Sequence, residues 1–150
     1  MRPSALFGGL FIGVLSALPF VNTANCCCLW LLSGGVLAVW IEEQDSPDDV
    51  GLAAGARCGF RAGVVGAFVW LVVGPLTDAL VGPAMQQLVD VVAGGAADMP
   101  AEARRWLDGL RDQPTGVLKF LPGFLFQLLI APAFASAGGM LGAAVLKRGR

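Results

Sequence analysis

Histidine is absent from the chain, and with it the commonest acid/base and metal ligand at neutral pH. An ordinary Ser-His-Asp triad therefore cannot be assembled. Charge is scarce as well. Only 14% of residues are charged, where a soluble domain carries roughly a quarter. Lysine is almost missing, with Lys119 and Lys147 set against eight arginines. From Ala5 to Ile41 there is no Asp, Glu, Lys or Arg at all. Such a stretch cannot coat a water-facing surface, but it suits hydrocarbon, where backbone groups bond within helices. The Gly-rich stretches lack the Gly-Lys-Ser/Thr ending that phosphate binding requires, and no Cys-x-x-Cys spacing marks a dithiol site. A net charge of −1 offers no general attraction for nucleic acid. These gaps lead to the expectation of a non-enzymatic protein with no catalytic residue, cofactor or metal and no nucleic-acid partner.

What is present is apolar: 56% of residues are hydrophobic and the mean hydropathy is +0.72. The pattern predicts one all-α membrane domain over residues 1–150, an integral helical bundle of about four transmembrane helices. Apolar segments run over 5–21, 26–41, 62–81 and 120–146, with an amphipathic region over 83–113 that supplies one or two interfacial helices between the third and fourth. The first two segments, each about 25 Å as a helix, fall slightly short of the roughly 30 Å hydrocarbon core. They form a hairpin around Asn22-Thr23-Ala24-Asn25, after Pro19 has disturbed the first helix, and either cross fully or dip in as a re-entrant pair. Arg2 followed by an apolar run also resembles a signal peptide. No small-x-small cleavage site follows, so the segment is expected to stay.

The acidic connector Glu42-Glu43-Gln44-Asp45-Ser46-Pro47-Asp48-Asp49 reads as a solvated loop whose end suits a helix start. Arg57 and Arg61 then place the membrane boundary of the third segment, with Pro75 kinking its outer part. In the amphipathic region, Met85, Leu88, Val89 and Val92 recur at helical spacing before a Gly94-Gly95 break. From Pro100 to Asp112, Ala103, Trp106, Leu107 and Leu110 share a face, which suits a helix lying at the interface or capping the spans. The fourth segment would reach about 40 Å if straight, so tilt or a kink at Pro132 is expected.

With an even number of crossings, Arg2, Arg57, Arg61, Lys147, Arg148 and Arg150 share one side, and Arg104, Arg105, Arg111 and Lys119 the other. Six against four favours cytoplasmic termini.

Small residues recur at intervals of four: Ala5, Gly9, Gly13 and Ala17; Gly34 and Ala38; Gly55, Gly59, Gly63 and Ala67; Ala131, Ala135, Gly139 and Ala143. Such ladders let helix backbones approach closely, within one chain or between copies in a homo-oligomer. Arg57 and Arg61 fall roughly opposite the glycine face of their helix.

Candidate chemistry is sparse. Cys26-Cys27-Cys28 point about 100° apart on a helix and cannot all face one ion, so a thiol site would need Cys58 or a second subunit. Small buried cysteines also suit tight packing. Asn22 and Asn25 either cap the hairpin turn or line a pore mouth, and Asp78 and Gln127 are the other candidates for a polar pathway. Arg57 and Arg61 read as snorkelling anchors or as contacts for lipid headgroups.

The run Leu18-Pro19-Phe20-Val21-Asn22-Thr23-Ala24-Asn25-Cys26-Cys27-Cys28-Leu29-Trp30, followed by Gly34-Gly35-Val36-Leu37-Ala38, resembles small multi-spanning prokaryotic membrane proteins of uncharacterised function. The resemblance covers about residues 8 to 67. It implies a prokaryotic inner or cell membrane and supplies no activity. Two function classes lead: a non-enzymatic helix-packing or scaffold protein of the lipid bilayer, and a small transporter or channel, possibly oligomeric. A redox, metal or lipid-handling role would need the cysteines to converge.

Overall fold

A computed structural model describes residues 3–18, 28–45, 50–94, 100, 102, 105, 109 and 119–148. The described residues are all-helical, with no strand among them, and form four long helices: α1 (Pro3–Ala17), α2 (Leu29–Gln44), α3 (Leu52–Gly94) and α4 (Phe120–Arg148). The α3 stretch Leu52–Leu88 and the α4 stretch Phe120–Lys147 are long and apolar enough to cross a membrane. By contrast α1 and α2, with 15 and 16 residues, reach only about 22–24 Å.

Helix directions follow from which backbones meet. On α1, Gly8 faces Ala38 of α2 while Ile12 faces Gly34, so these helices run antiparallel. Gly9 faces Val65 of α3 and Gly13 faces Val69, so α1 and α3 run parallel. Gly55 meets Gly139 and Ala143 of α4 while Gly63 meets Pro132, an antiparallel pair. The result is an up-down-up-down bundle in which α2 and α3 touch each other and each touches both α1 and α4. The starts of α1 and α3 and the ends of α2 and α4 therefore share one end.

The small-residue ladders are what make this packing possible. A Cβ on Gly63 would sit 2.5 Å from the Pro132 Cα, and one on Gly9 would sit 2.6 Å from the Val65 Cβ. Real Cβ atoms do not approach so closely, so glycine is required there for helices to meet backbone to backbone. The ladder glycines of all four helices face other helices of the same chain. Alanine dominates the buried set, including Ala38, Ala62, Ala67, Ala131 and Ala135, with Ile12, Leu31 and Val39 as its large members. Large apolar side chains lie outside: Phe7, Trp40, Phe60, Phe68, Val72 and Leu129 are all exposed.

Two boundaries differ from the sequence reading. The third helix does not stop near residue 81; it continues through Pro75 and Pro83 to Gly94, 43 residues and about 64 Å. Each proline removes one backbone donor, but its helical neighbours carry the helix through. Met85 and Leu88 thus belong to the C-terminal part of α3, and Pro83 does not open a separate segment. Of residues 95–113, only Pro100, Glu102, Arg105 and Gly109 are described, and all four are exposed. The hairpin helices also sit a few residues from the expected spans, α1 starting at Pro3 and α2 extending through Glu42 and Glu43 to Gln44.

Candidate functional site

Polar groups gather at the two ends of the bundle. At the end that holds the start of α1, Ser4 is 1% exposed and its Oγ donates a hydrogen bond to Glu42 Oε2. The buried Cys58 thiol lies 3.8 Å from the same Oγ and donates to it. One serine thus ties α1 to α2 and α3. Beside it, a cavity of about 270 Å³ is lined by Ser4, Glu42 and Cys58 together with Arg57, Arg61, Ala5 and Ala54. Arg57 folds back along its helix, its Nε donating to the Ala53 carbonyl at 3.2 Å. Both arginines are exposed and, among the described residues, neither forms an ion pair.

At the opposite end, Lys119 pairs with Asp78 and lies 5.1 Å over the Phe120 ring. That contact joins the beginning of α4 to the middle of α3. A cavity of about 200 Å³ there is lined by Asp78, Thr77, Ser16, Trp70, Phe120 and neighbouring small and apolar residues. Thr77 is turned onto its own helix, its hydroxyl donating to the Val73 carbonyl at 3.0 Å. Ser16 is 4% exposed, and its Oγ is buried with no hydrogen-bond partner among the described residues.

Between the two ends the bundle is filled by contacts such as Ile12 against Gly34 and Gly66. Gln127 lies in this middle stretch, on the face of α4 shared by Phe124, which meets Phe68, and by the buried Ala131. Its Nε2 is buried with no partner among the described residues.

No protein-family model, curated protein or solved structure matches the chain.

The sequence candidates divide accordingly. Arg57, Arg61 and Cys58 meet at one cavity, whereas Asp78 lines the other and Gln127 lines neither. Asn22, Asn25, Cys26 and Cys27 lie outside the described residues. Cys28 precedes α2 at the Ser16 end and adopts a left-handed backbone with φ 51°. Its thiol and that of Cys58 stand near opposite ends of the bundle. Among the described residues no three Cys, Asp or Glu side chains gather as a metal site would require.

Sequence reasoning missed Ser4, Ser16 and Trp70 as participants. The signal for the serines was present: Ser4, Gly8, Ile12 and Ser16 form a second ladder beside Ala5, Gly9, Gly13 and Ala17, and it is buried throughout. Sequence alone gives Glu42 as part of the acidic connector and Lys119 as an orientation charge.

Proposed function

We propose that the chain is a multi-pass protein of a prokaryotic cell membrane, with all four helices in the bilayer, both termini cytoplasmic, and a non-enzymatic, helix-packing role. The observation that carries this reading is the inverted burial: Gly, Ala and Ser inside, Phe7, Phe68, Val72 and Leu129 outside. Water would expel such a surface, and a folded soluble chain does not expose apolar area on this scale. Lipid tails are as apolar as leucine, so in a bilayer the outer side chains cost nothing and association rests on close backbone contact. The uninterrupted small-residue packing around Ile12 supports a structural role over conduction.

A small transporter or channel is the second reading. It is favoured by two buried polar atoms without partners among the described residues, Gln127 Nε2 and Ser16 Oγ, since unsatisfied groups in hydrocarbon are costly to retain.

Topology is the test. Single cysteines at Ser46, Gln113 and Gly149, in a background lacking the four native cysteines, are labelled with a membrane-impermeant thiol reagent. Reaction of Gln113 alone from outside is expected. Labelling of Ser46 and Gly149 from outside would invert the protein, and extraction of the chain from membranes by alkaline carbonate would reject the membrane reading.

A further inference from the structure

Arg57 and Arg61 stand one helical turn apart on α3, where two like charges repel each other. The fold has nonetheless placed both on one cavity, and among the described residues neither is in an ion pair. We propose that this cavity binds the phosphodiester group of a membrane phospholipid, an inference that rests on the membrane reading above.

Donor chemistry, charge and position support the assignment. Arg57 commits only its Nε, to the Ala53 carbonyl, which leaves its terminal nitrogens for a ligand. A guanidinium presents its donors as a planar fork matched to phosphate oxygens. Glu42, held by the buried Ser4 hydroxyl, contributes one negative charge to the wall. Two guanidinium groups on one cavity supply the positive charge that a phosphodiester anion complements. The cavity lies at the bundle end, where the polar groups meet the apolar outer face. Exposed Phe60 follows Arg57 by three residues on α3, which puts the two side chains on one side of that helix. Acyl chains of a lipid bound there would run down that apolar face while the phosphate met the arginines.

The full chain, purified in a neutral detergent without added phospholipid, is heated with increasing short-chain phosphatidylglycerol or with inorganic phosphate. Intrinsic tryptophan fluorescence reports unfolding, since a ligand of the folded state raises the midpoint. Phosphatidylglycerol should raise it saturably, and inorganic phosphate at equal concentration should do so far less. R57Q/R61Q should weaken the lipid affinity about tenfold or more. K147Q, which removes a charge from the last turn of α4 at the same end, should leave it unchanged. If R57Q/R61Q does not fold, R57K/R61K keeps the charge but loses the fork, and it should still bind several-fold more weakly.

No response to phosphatidylglycerol overturns the proposal, as does equal loss in K147Q or undiminished affinity in the folded arginine variants. An equal response to inorganic phosphate would assign the cavity to free phosphate and also overturn it. A chain that stays monodisperse without detergent fails the membrane reading itself, whereas one that needs detergent yet ignores the lipid fails only the site.

Discussion

Trp70 of α3 donates its indole N–H to the Ser16 carbonyl of α1 at 3.2 Å. Ser16 belongs to the last turn of α1, where backbone carbonyls have no partner within the helix. A side chain from a neighbouring helix thus supplies a cap that α1 cannot make for itself.

The Trp70→Phe substitution removes that donor while keeping an aromatic ring against Phe120, which Trp70 meets edge-on at 6.0 Å between centroids. Because Ser16 is buried, its carbonyl loses a partner that water does not readily replace. Unfolding in mixed detergent micelles should show a loss of about 1–2 kcal/mol. A loss near zero would mean that the carbonyl finds another donor.

Glycine at the α3–α4 seam should be intolerant of even one methyl group. Gly63→Ala would drive a Cβ against Pro132 backbone, and backbone cannot swing aside as a side-chain tip can. A cost of about 1–3 kcal/mol is expected from overpacking. Gly94→Ala is the control: nothing lies within 4 Å of its added Cβ at the end of α3, so it should change stability by no more than about 0.5 kcal/mol. Equal effects at the two sites would refute the close-contact account.

The Asp78–Lys119 pair should contribute little to stability despite its contact. The Asp78 side chain is 43% exposed and that of Lys119 23%, and at the end of the bundle, where headgroups and water reach the pair, the attraction is screened. A double-mutant cycle with Asp78→Asn and Lys119→Gln should return a coupling of about 0.5 kcal/mol that shrinks with added salt. A coupling several times larger, or one indifferent to salt, would show that the pair is more enclosed than its exposure indicates.

Much of the architecture was readable because its signals are local. The charge-free run from Ala5 to Ile41 is a matter of composition, and each four-residue ladder lies within a single segment, so composition and periodicity find them. Pro83 misled the reading because a proline reports a local cost, while helix continuation depends on the residues around it. The grouping of Ser4, Cys58 and Glu42 was not legible at all. It depends on the relative register of three helices, which close contacts such as Gly8 against Ala38 and Gly9 against Val65 determine. The Ser16 carbonyl was equally hidden, since a backbone acceptor leaves no mark in composition. Arg57 and Arg61 could be assigned to a boundary, but not to a shared cavity with Glu42.

An interior built where main chain meets main chain has a thermal consequence. Apolar exposure raises the heat capacity of an unfolding protein and polar exposure lowers it. Here glycine and alanine contacts bring peptide groups together while the largest apolar side chains are already outside. Separating these helices would uncover little hydrocarbon for each peptide group released. The heat-capacity change should be small and the stability curve broad and shallow, with packing strength that varies little between cold and warm.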